Sequence, residues 1–201
     1  MVGMSIDRRY AEALRTFARV FRQAQGCRAI RDATAMLLAT ANRAAHPSVR
    51  AVLLKGVDVR GFVFYTNRES RKGRELAKNP RAALTFLWHP LGYQVHIEGR
   101  AIPVTDAEAD AYWATRPRDT QIGAWASRQS RPLASRAGLL AHARRCARKF
   151  RDRLVPRPAG WGGFRVIPDR IEFWKEGANR LHHRRLYERR GRRWACRWLY
   201  P

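Results

Sequence analysis

Between residues 34 and 104 the chain runs through five β-compatible stretches with one short helix among them, and nothing else in the sequence constrains the fold as much. "TAMLLATA" (34–41) and "SVRAVLLKG" (48–56) flank the turn-like "NRAAHP", and "GFVFYTN" (61–67) follows the turn "VDVRG". "AALTFLWH" (82–89) and "YQVHIEGRAIPV" (93–104) come after the helix. Short apolar runs bounded by turn residues read as strands. Parallel strands need a crossover, usually a helix, between each pair. With one helix for five strands, an antiparallel sheet or barrel is expected instead.

The helices are read from periodicity and caps. "RYAEALRTFARVFRQA" (9–24) places Leu14, Phe17, Val20 and Phe21 on one stripe, which predicts a helix packed by that face. "SRKGRELAKNP" (70–80) predicts a short helix capped by Ser70 and stopped near Asn79 and Pro80. "DAEADAYWATR" (106–116) predicts another, with Asp106 as cap and an end near Pro117. "PRDTQIGAWASRQSRPLAS" reads as a polar loop or broken helix interrupted by Gly123 and Pro132, and Ser135 to Leu154 as a strongly basic helix. The final third returns to short β runs, with Glu172 on one side of an edge strand. No repeat or low-complexity linker divides the chain, so residues 1–201 are expected to form a single domain, mainly β with flanking helices.

A formal charge of +25 makes nucleic acid, a membrane surface or a small phosphorylated ligand the first partners to weigh. Lysine occurs only at Lys55, Lys72, Lys78, Lys149 and Lys175, so arginine carries most of that charge. Cys27, Cys146 and Cys196 are odd in number and far apart, which argues against a disulfide framework or a cysteine zinc site and for a cytoplasmic protein. No apolar run approaches a membrane span, and the first residues supply no signal core, so no membrane partner is expected.

The stretch "FYTNRESRKG" brings Tyr65 and Thr66 to a turn, after which Ser70 starts a helix whose first turn carries Arg71 and Lys72. Free amides, the helix dipole and two cations there suit a phosphate. Arg50 and Lys55 differ by an odd spacing, so on a flat strand they face opposite ways unless Lys55 acts from the turn. Glycine-rich dinucleotide fingerprints, the triphosphate loop, zinc-ligand spacings and G-x-S-x-G are all absent, and no metal is expected. His89, His96 and His142 read as core or surface residues. Redox chemistry on an organic cofactor remains open, because the protein then supplies mainly anion binding and orientation.

Several ordered motifs from about Ala35 to Pro201 resemble the pyridoxine (pyridoxamine) 5'-phosphate oxidase family. They are "RAVLLKG", "GFVFYTNRESRKGRELAKNPRAALTFLWH", "QVHIEG", "YWATRPRDTQIGAWASRQS", "WGGFRV", and "IEFWKEGANRLHHRRLYER" with the closing "RWLYP". The resemblance implies a split β-barrel of the flavin mononucleotide (FMN)-binding type, a homodimer with sites at the interface, and a variable N-terminal helical segment over residues 1–33. It implies that Arg50, Tyr65, Thr66, Arg71, Lys72, Gln94, Gln129, Ser130, Trp174 and Arg184 contact FMN. Lys55, Tyr112, Arg116 and Thr120 would hold a substrate phosphate, and Arg180 and His182 would lie over a pyridine ring as the catalytic pair. The implied reaction oxidises pyridoxine or pyridoxamine 5'-phosphate to pyridoxal 5'-phosphate by hydride transfer to FMN, with O₂ as acceptor giving H₂O₂. The other readings are a flavin or B6-phosphate binding protein with weak or altered oxidase activity and, more distantly, a nonspecific nucleic-acid binder; no specific nucleic-acid partner is expected.

The chain departs from the family at His183, where an Asp is usual. Thr120 replaces the more usual Ser, and "LGYQV" lacks the charged pair usual before Gln94. If residues 180–184 are extended, Arg180, His182 and Arg184 face one side and His183 the other.

Overall fold

In the computed structural model, which describes residues 6–201, nine strands form one sheet whose pairings are all antiparallel. The strands are β1 (Ala35–Ala41), β2 (Pro47–Leu53), β3 (Gly56–Asp58), β4 (Gly61–Asn67), β5 (Arg81–Trp88), β6 (Tyr93–Pro103), β7 (Trp161–Lys175), β8 (His183–Arg190) and β9 (Arg193–Leu199). The helices are α1 (Arg8–Gly26), α2 (Arg71–Lys78), α3 (Asp106–Ala114), α4 (Arg118–Ala126) and α5 (Arg136–Lys149).

The strand path β2-β1-β5-β6-β7-β4-β3 has β2 and β3 at its two ends, yet only Leu54 and Lys55 separate them in the chain. The sheet must therefore curl until its ends meet. The Lys55 amide donates to the Val63 carbonyl at 2.8 Å, and the Leu54 amide to Thr34 at 2.8 Å, at that seam. The result is a curled half-barrel with helices on its flanks.

Strand β7 organises the sheet. Its one edge pairs with β6 from Phe164 to Lys175, while the other pairs first with β4 and then with β8. Pro168 lies between the two partners, where a missing N–H breaks no ladder. Asp169 is left unmatched opposite the Glu98/Gly99 step, a bulge that bends the strand there.

Helix α1 starts where Asp7 accepts from the Arg9 and Tyr10 amides at 2.8 and 3.2 Å. Its stripe buries Ala13, Phe17 and Val20 against the sheet, with Leu14 and Phe21 packed beside them. Phe17 meets Phe62 edge-on at 5.0 Å and Phe86 at 5.3 Å. Burying one such ring contributes about 2–3 kcal/mol. On its other side α1 reaches β8: Glu12 Oε1 accepts from Arg185 Nη2 at 2.6 Å and from the Tyr187 hydroxyl at 3.1 Å. A second core gathers Trp113, Ile122, Ala126, Cys146, Phe150 and Trp161 under α3, α4 and α5.

Several expectations are corrected. The cap of α3 is Thr105, which shares a reciprocal capping box with Glu108. Asp106 is instead the first helical residue and pairs with Arg68 at 3.0 Å and Arg157 at 3.1 Å. The stretch after Pro117 folds as α4, because Ile122 and Ala126, four residues apart, share a buried face that outweighs Gly123. The basic helix stops at Lys149, since Phe150 turns into the second core. The "short β runs" of the final third include the 15-residue β7, and Glu172 lies within this interior strand. Within it, Pro168 marks the change of neighbour from β4 to β8.

Candidate functional site

Three cations without a carboxylate partner among the described residues, Lys55, Lys72 and Arg116, line one cleft of about 580 Å³. Each arrives from a different element. Lys55 stands on the seam between β2 and β3, outside the strand, so the odd spacing from Arg50 imposes no conflict.

Lys72 is delivered by the turn that joins β4 to α2. Ser70 Oγ accepts the Gly73 amide at 3.4 Å as the helix cap, as expected from the sequence. A Cβ on Gly73 would lie 2.1 Å from the Arg68 carbonyl oxygen, so only glycine lets the turn close on the helix. Lys72 is only 7% exposed. Its Nζ donates to Thr66 Oγ1 at 3.2 Å, and Thr66 Oγ1 donates to Gln129 Oε1 at 3.3 Å. Burial, with Arg50 nearby, pushes the Lys72 pKa below its ordinary value. A buried ammonium answered only by a hydroxyl is costly, and an anionic ligand would relieve that cost.

Arg116 lies over the indoles of Trp113 and Trp161, 5.5 and 4.9 Å from their centroids. Its Nη2 donates to the Thr120 carbonyl at 3.1 Å, and its buried Nε has no partner. Burial lowers its pKa. Beside it Tyr65 and Tyr112 stack at 4.1 Å, and the Tyr65 ring lies nearly parallel to Trp161 with centroids 5.6 Å apart. The Tyr65 hydroxyl donates to the Glu108 carbonyl at 3.2 Å, and burial raises its pKa, so it stays a neutral phenol. Thr120 Oγ1 donates to the Pro117 carbonyl at 2.7 Å at the start of α4. The cleft thus offers an aromatic wall and fixed positive charge.

Arg50 and Arg71 meet through Glu75. Glu75 Oε1 accepts from Arg71 Nε at 2.8 Å, and Oε2 from Arg50 Nη2 at 3.3 Å. Ser130 has a left-handed φ of 67° and sits in the turn after Gln129, on an adjoining cleft with Arg128 and Arg131.

The remaining predicted residues form a second group. Gln94, Trp174 and Arg184 are direct neighbours across β6, β7 and β8. The His182 ring centroid is 4.5 Å from that of Trp174. Arg184 grips Glu172 with both ends of its fork, at 2.7 and 3.2 Å, and its Nη1 donates to the Tyr200 carbonyl at 3.1 Å. Trp174 and Arg184 line a separate cleft of about 470 Å³ that shares no residue with the first.

Residues 180–184 are not all extended. Asn179 and Arg180 take left-handed φ angles of 53° and 62°, so strand alternation begins only after Arg180. His182 and Arg184 flank Trp174, whereas Arg180 projects from an exposed turn. The His182 Nδ1 accepts the Gly177 amide at 3.3 Å, which assigns the proton of a neutral ring to Nε2. Exposed His183 opposes Lys175 in the ladder. Arg185 belongs to the link with α1.

Sequence reasoning did not find Glu75, Glu172 or Trp161. Glu75 stands four residues after Arg71 on a helix, a spacing that could have revealed it. Glu172 shares a face with Trp174 by strand alternation. Trp161 reaches the cleft only through the β4–β7 pairing of Asn67 with Trp161, which no local pattern announces.

Among the described residues no helix is long and apolar enough to cross a membrane. A family model described as "Pyridoxamine 5'-phosphate oxidase" matches residues 25–149, and one described as "Pyridoxine 5'-phosphate oxidase C-terminal dimerisation region" matches residues 161–201. A pyridoxine/pyridoxamine 5'-phosphate oxidase of Anaeromyxobacter dehalogenans is 56% identical over 85% of this chain and 86% of its own. Another, of Myxococcus xanthus, is 52% identical over 94% of this chain and 92% of its own. The crystal structure of PhzG from Burkholderia lata 383, in complex with tetrahydrophenazine-1-carboxylic acid, superposes with a TM-score of 0.89 at 34% identity, covering 94% of this chain and 92% of that one. A pyridoxamine 5'-phosphate oxidase-related, FMN-binding protein of Nostoc punctiforme has the same fold, with a TM-score of 0.74 at 13% identity, covering 92% of this chain and 96% of that one. The chain belongs to the pyridoxine/pyridoxamine 5'-phosphate oxidase family.

Proposed function

We propose that this protein is an FMN-dependent oxidase that converts pyridoxine 5'-phosphate or pyridoxamine 5'-phosphate to pyridoxal 5'-phosphate. The observation that carries the reading is the convergence of Lys55, Lys72 and Arg116, none with a carboxylate partner among the described residues, on a cleft walled by Tyr65, Tyr112 and Trp161. Fixed cations without counter-ions suit phosphate groups, and flat aromatic walls suit planar rings.

Arg50, Arg71, Lys72, Thr66, Tyr65 and Gln129 would hold FMN from one side, with Ser130 completing the turn. Gln94, Trp174 and Arg184 would hold it from the other. Lys55, Tyr112, Arg116 and Thr120 would fix the substrate phosphate, while Arg180 and His182 orient the pyridine ring. When bound, FMN supplies a two-electron acceptor that O₂ regenerates with release of H₂O₂. The protein contributes placement: both phosphates anchored, the reacting carbon held against the acceptor, and a proton-bearing His182 Nε2 available for a hydrogen bond. For the amine substrate, water then releases ammonia from the imine.

Because Trp174 and Arg184 line a cleft separate from that of Lys55, Lys72 and Arg116 on one chain, the reading includes a homodimer in which each site draws on both copies. An apolar outer face on β1, β2 and β5, with Leu37, Val49, Leu53 and Leu87 exposed, supports such a pairing. The three free cysteines agree with a reducing, cytoplasmic setting.

The test is a visible spectrum of the purified protein, followed by anaerobic mixing with pyridoxine 5'-phosphate. Bound flavin that bleaches supports the oxidase. Flavin that binds but stays oxidised points to a flavin or B6-phosphate binding protein with weak or altered oxidase activity, and failure to bind FMN after reconstitution overturns the oxidase. Within the site, Arg180→Ala should cut turnover far more than flavin retention, and Arg71→Ala should weaken flavin binding first.

A further inference from the structure

Glu75 is a carboxylate at the centre of a cationic corner. It is 7% exposed. Its Oε2 accepts from Thr40 Oγ1 at 2.5 Å, Ser48 Oγ at 2.8 Å and Arg50 Nη2 at 3.3 Å, and its Oε1 from Arg71 Nε at 2.8 Å. Arg50 is held further by the Leu38 carbonyl at 3.2 Å, by Thr40 Oγ1 at 2.5 Å and by Ser48 Oγ. Among the described residues neither arginine pairs with a second carboxylate. Arg50 comes from β2 and Arg71 from the first turn of α2, so one side chain couples the aim of two cations from two elements.

We infer that Glu75 is a positioning residue, which locks Arg50 and Arg71 into the geometry that receives the phosphate of the flavin. The inference rests on the proposed FMN site. Its chemistry sets up a contest of signs. A negative charge next to a phosphate repels it, so a Glu75 that merely competed for the arginines would weaken FMN binding. A Glu75 that positions them strengthens binding, because pre-oriented guanidinium forks lose less freedom when they engage the phosphate. The reach of the carboxylate to four donors, with both oxygens engaged, favours positioning.

The experiment titrates apoprotein with FMN and, separately, with riboflavin, which lacks the phosphate, following flavin fluorescence in the wild type, Glu75→Gln, Glu75→Asp and Thr40→Val. Glu75→Gln keeps the shape but turns an amide N–H₂ toward cations. It is expected to weaken FMN binding by about ten-fold or more and leave riboflavin within about two-fold. Glu75→Asp should recover part of the loss. Thr40→Val, which leaves the charge in place and removes one tether from both Glu75 and Arg50, should weaken FMN binding by a smaller factor with the same riboflavin control. This variant carries the test if Glu75→Gln does not fold. Equal or tighter FMN binding by Glu75→Gln overturns the inference, as does a proportional loss of FMN and riboflavin, which marks a merely structural role. If the wild-type apoprotein itself binds no FMN, the functional reading fails first, and the two failures are thereby told apart.

Discussion

The Arg116 guanidinium lies 4.9 Å from the centroid of the Trp161 ring, although the two residues stand on different layers, one after α3 and the other at the start of β7. Cation–π contact of this kind is worth about 0.5–2 kcal/mol and fixes the plane of the guanidinium, leaving its edge for an oxyanion. Lysine cannot reproduce either feature. Arg116→Lys should therefore raise KM for the phosphorylated substrate on the order of ten-fold or more while FMN content stays unchanged. Steady-state kinetics on reconstituted enzyme check this, and an unchanged KM with a lowered kcat would count against a phosphate role.

Lys72 is expected to trade stability for binding. Its folded pKa is depressed, by burial first and Arg50 second, so the unfolded chain holds that proton more tightly. Stability then rises with pH from the depressed pKa up to the ordinary 10.5, and below that window the charged side chain is a constant liability. Lys72→Met should stabilise the apoprotein at neutral pH by about 1 kcal/mol and weaken FMN binding. Thermal melts with and without FMN check both halves: the variant should melt higher when empty and gain less from the ligand.

Glu75 predicts an acid limb. Burial alone would raise its pKa, but hydrogen bonds from Thr40, Ser48 and Arg71 overcome this and hold it down to about 2, against an ordinary 4.5. The stabilisation is complete above 4.5 and is lost as pH falls from there toward 2. In Glu75→Gln the melting temperature should be lower at neutral pH and fall less steeply across this acid range. Parallel curves for variant and wild type would show that Glu75 is not the titrating group.

His183→Asp places a carboxylate opposite Lys175 across the β7–β8 ladder. A cross-strand pair of opposite charge is worth about 0.2–1 kcal/mol, and the position is exposed. A small rise in melting temperature at low salt is expected, fading at high salt, with the reaction type unchanged. A gain in FMN affinity is expected only insofar as a steadier β8 steadies Arg184 and His182, and fluorescence titration measures it.

Five of the six strands before residue 104 and the cap at Ser70 were legible because period-two alternation and side-chain capping are local, whereas the three-residue β3 lies in the stretch read as the turn "VDVRG". The seam was not. Lys55 and Arg50 looked incompatible on one flat strand, and only the barrel's closure shows that Lys55 has already left it. Similarly, the final third reads as short β runs until β7 is seen to continue through Pro168 and exchange β4 for β8 at that point. At the site, Tyr65 and Lys72 were found from the stretch "FYTNRESRKG", and Arg116 only through the family resemblance. What Lys72 and Arg116 share with Lys55, the lack of an answering carboxylate among the described residues, depends on packing across α3, β4 and β7 and has no counterpart in sequence spacing. The left-handed turn at Asn179 and Arg180 was missed for a related reason: neither residue is the glycine that normally announces it.

Because β7 lies between β6 and β4, its place in the chain matters while the protein is being made. Both of those strands leave the ribosome well before Trp161 and wait with open edges for the seconds that translation of α3, α4 and α5 takes. Throughout that interval the cleft lacks the Trp161 face on which Arg116 rests. A stalled or truncated chain ending in α5 would carry Arg50, Lys55, Arg71, Lys72 and Arg116 on an unsealed sheet, with the facing edges of β4 and β6 unpaired and open to edge-to-edge association.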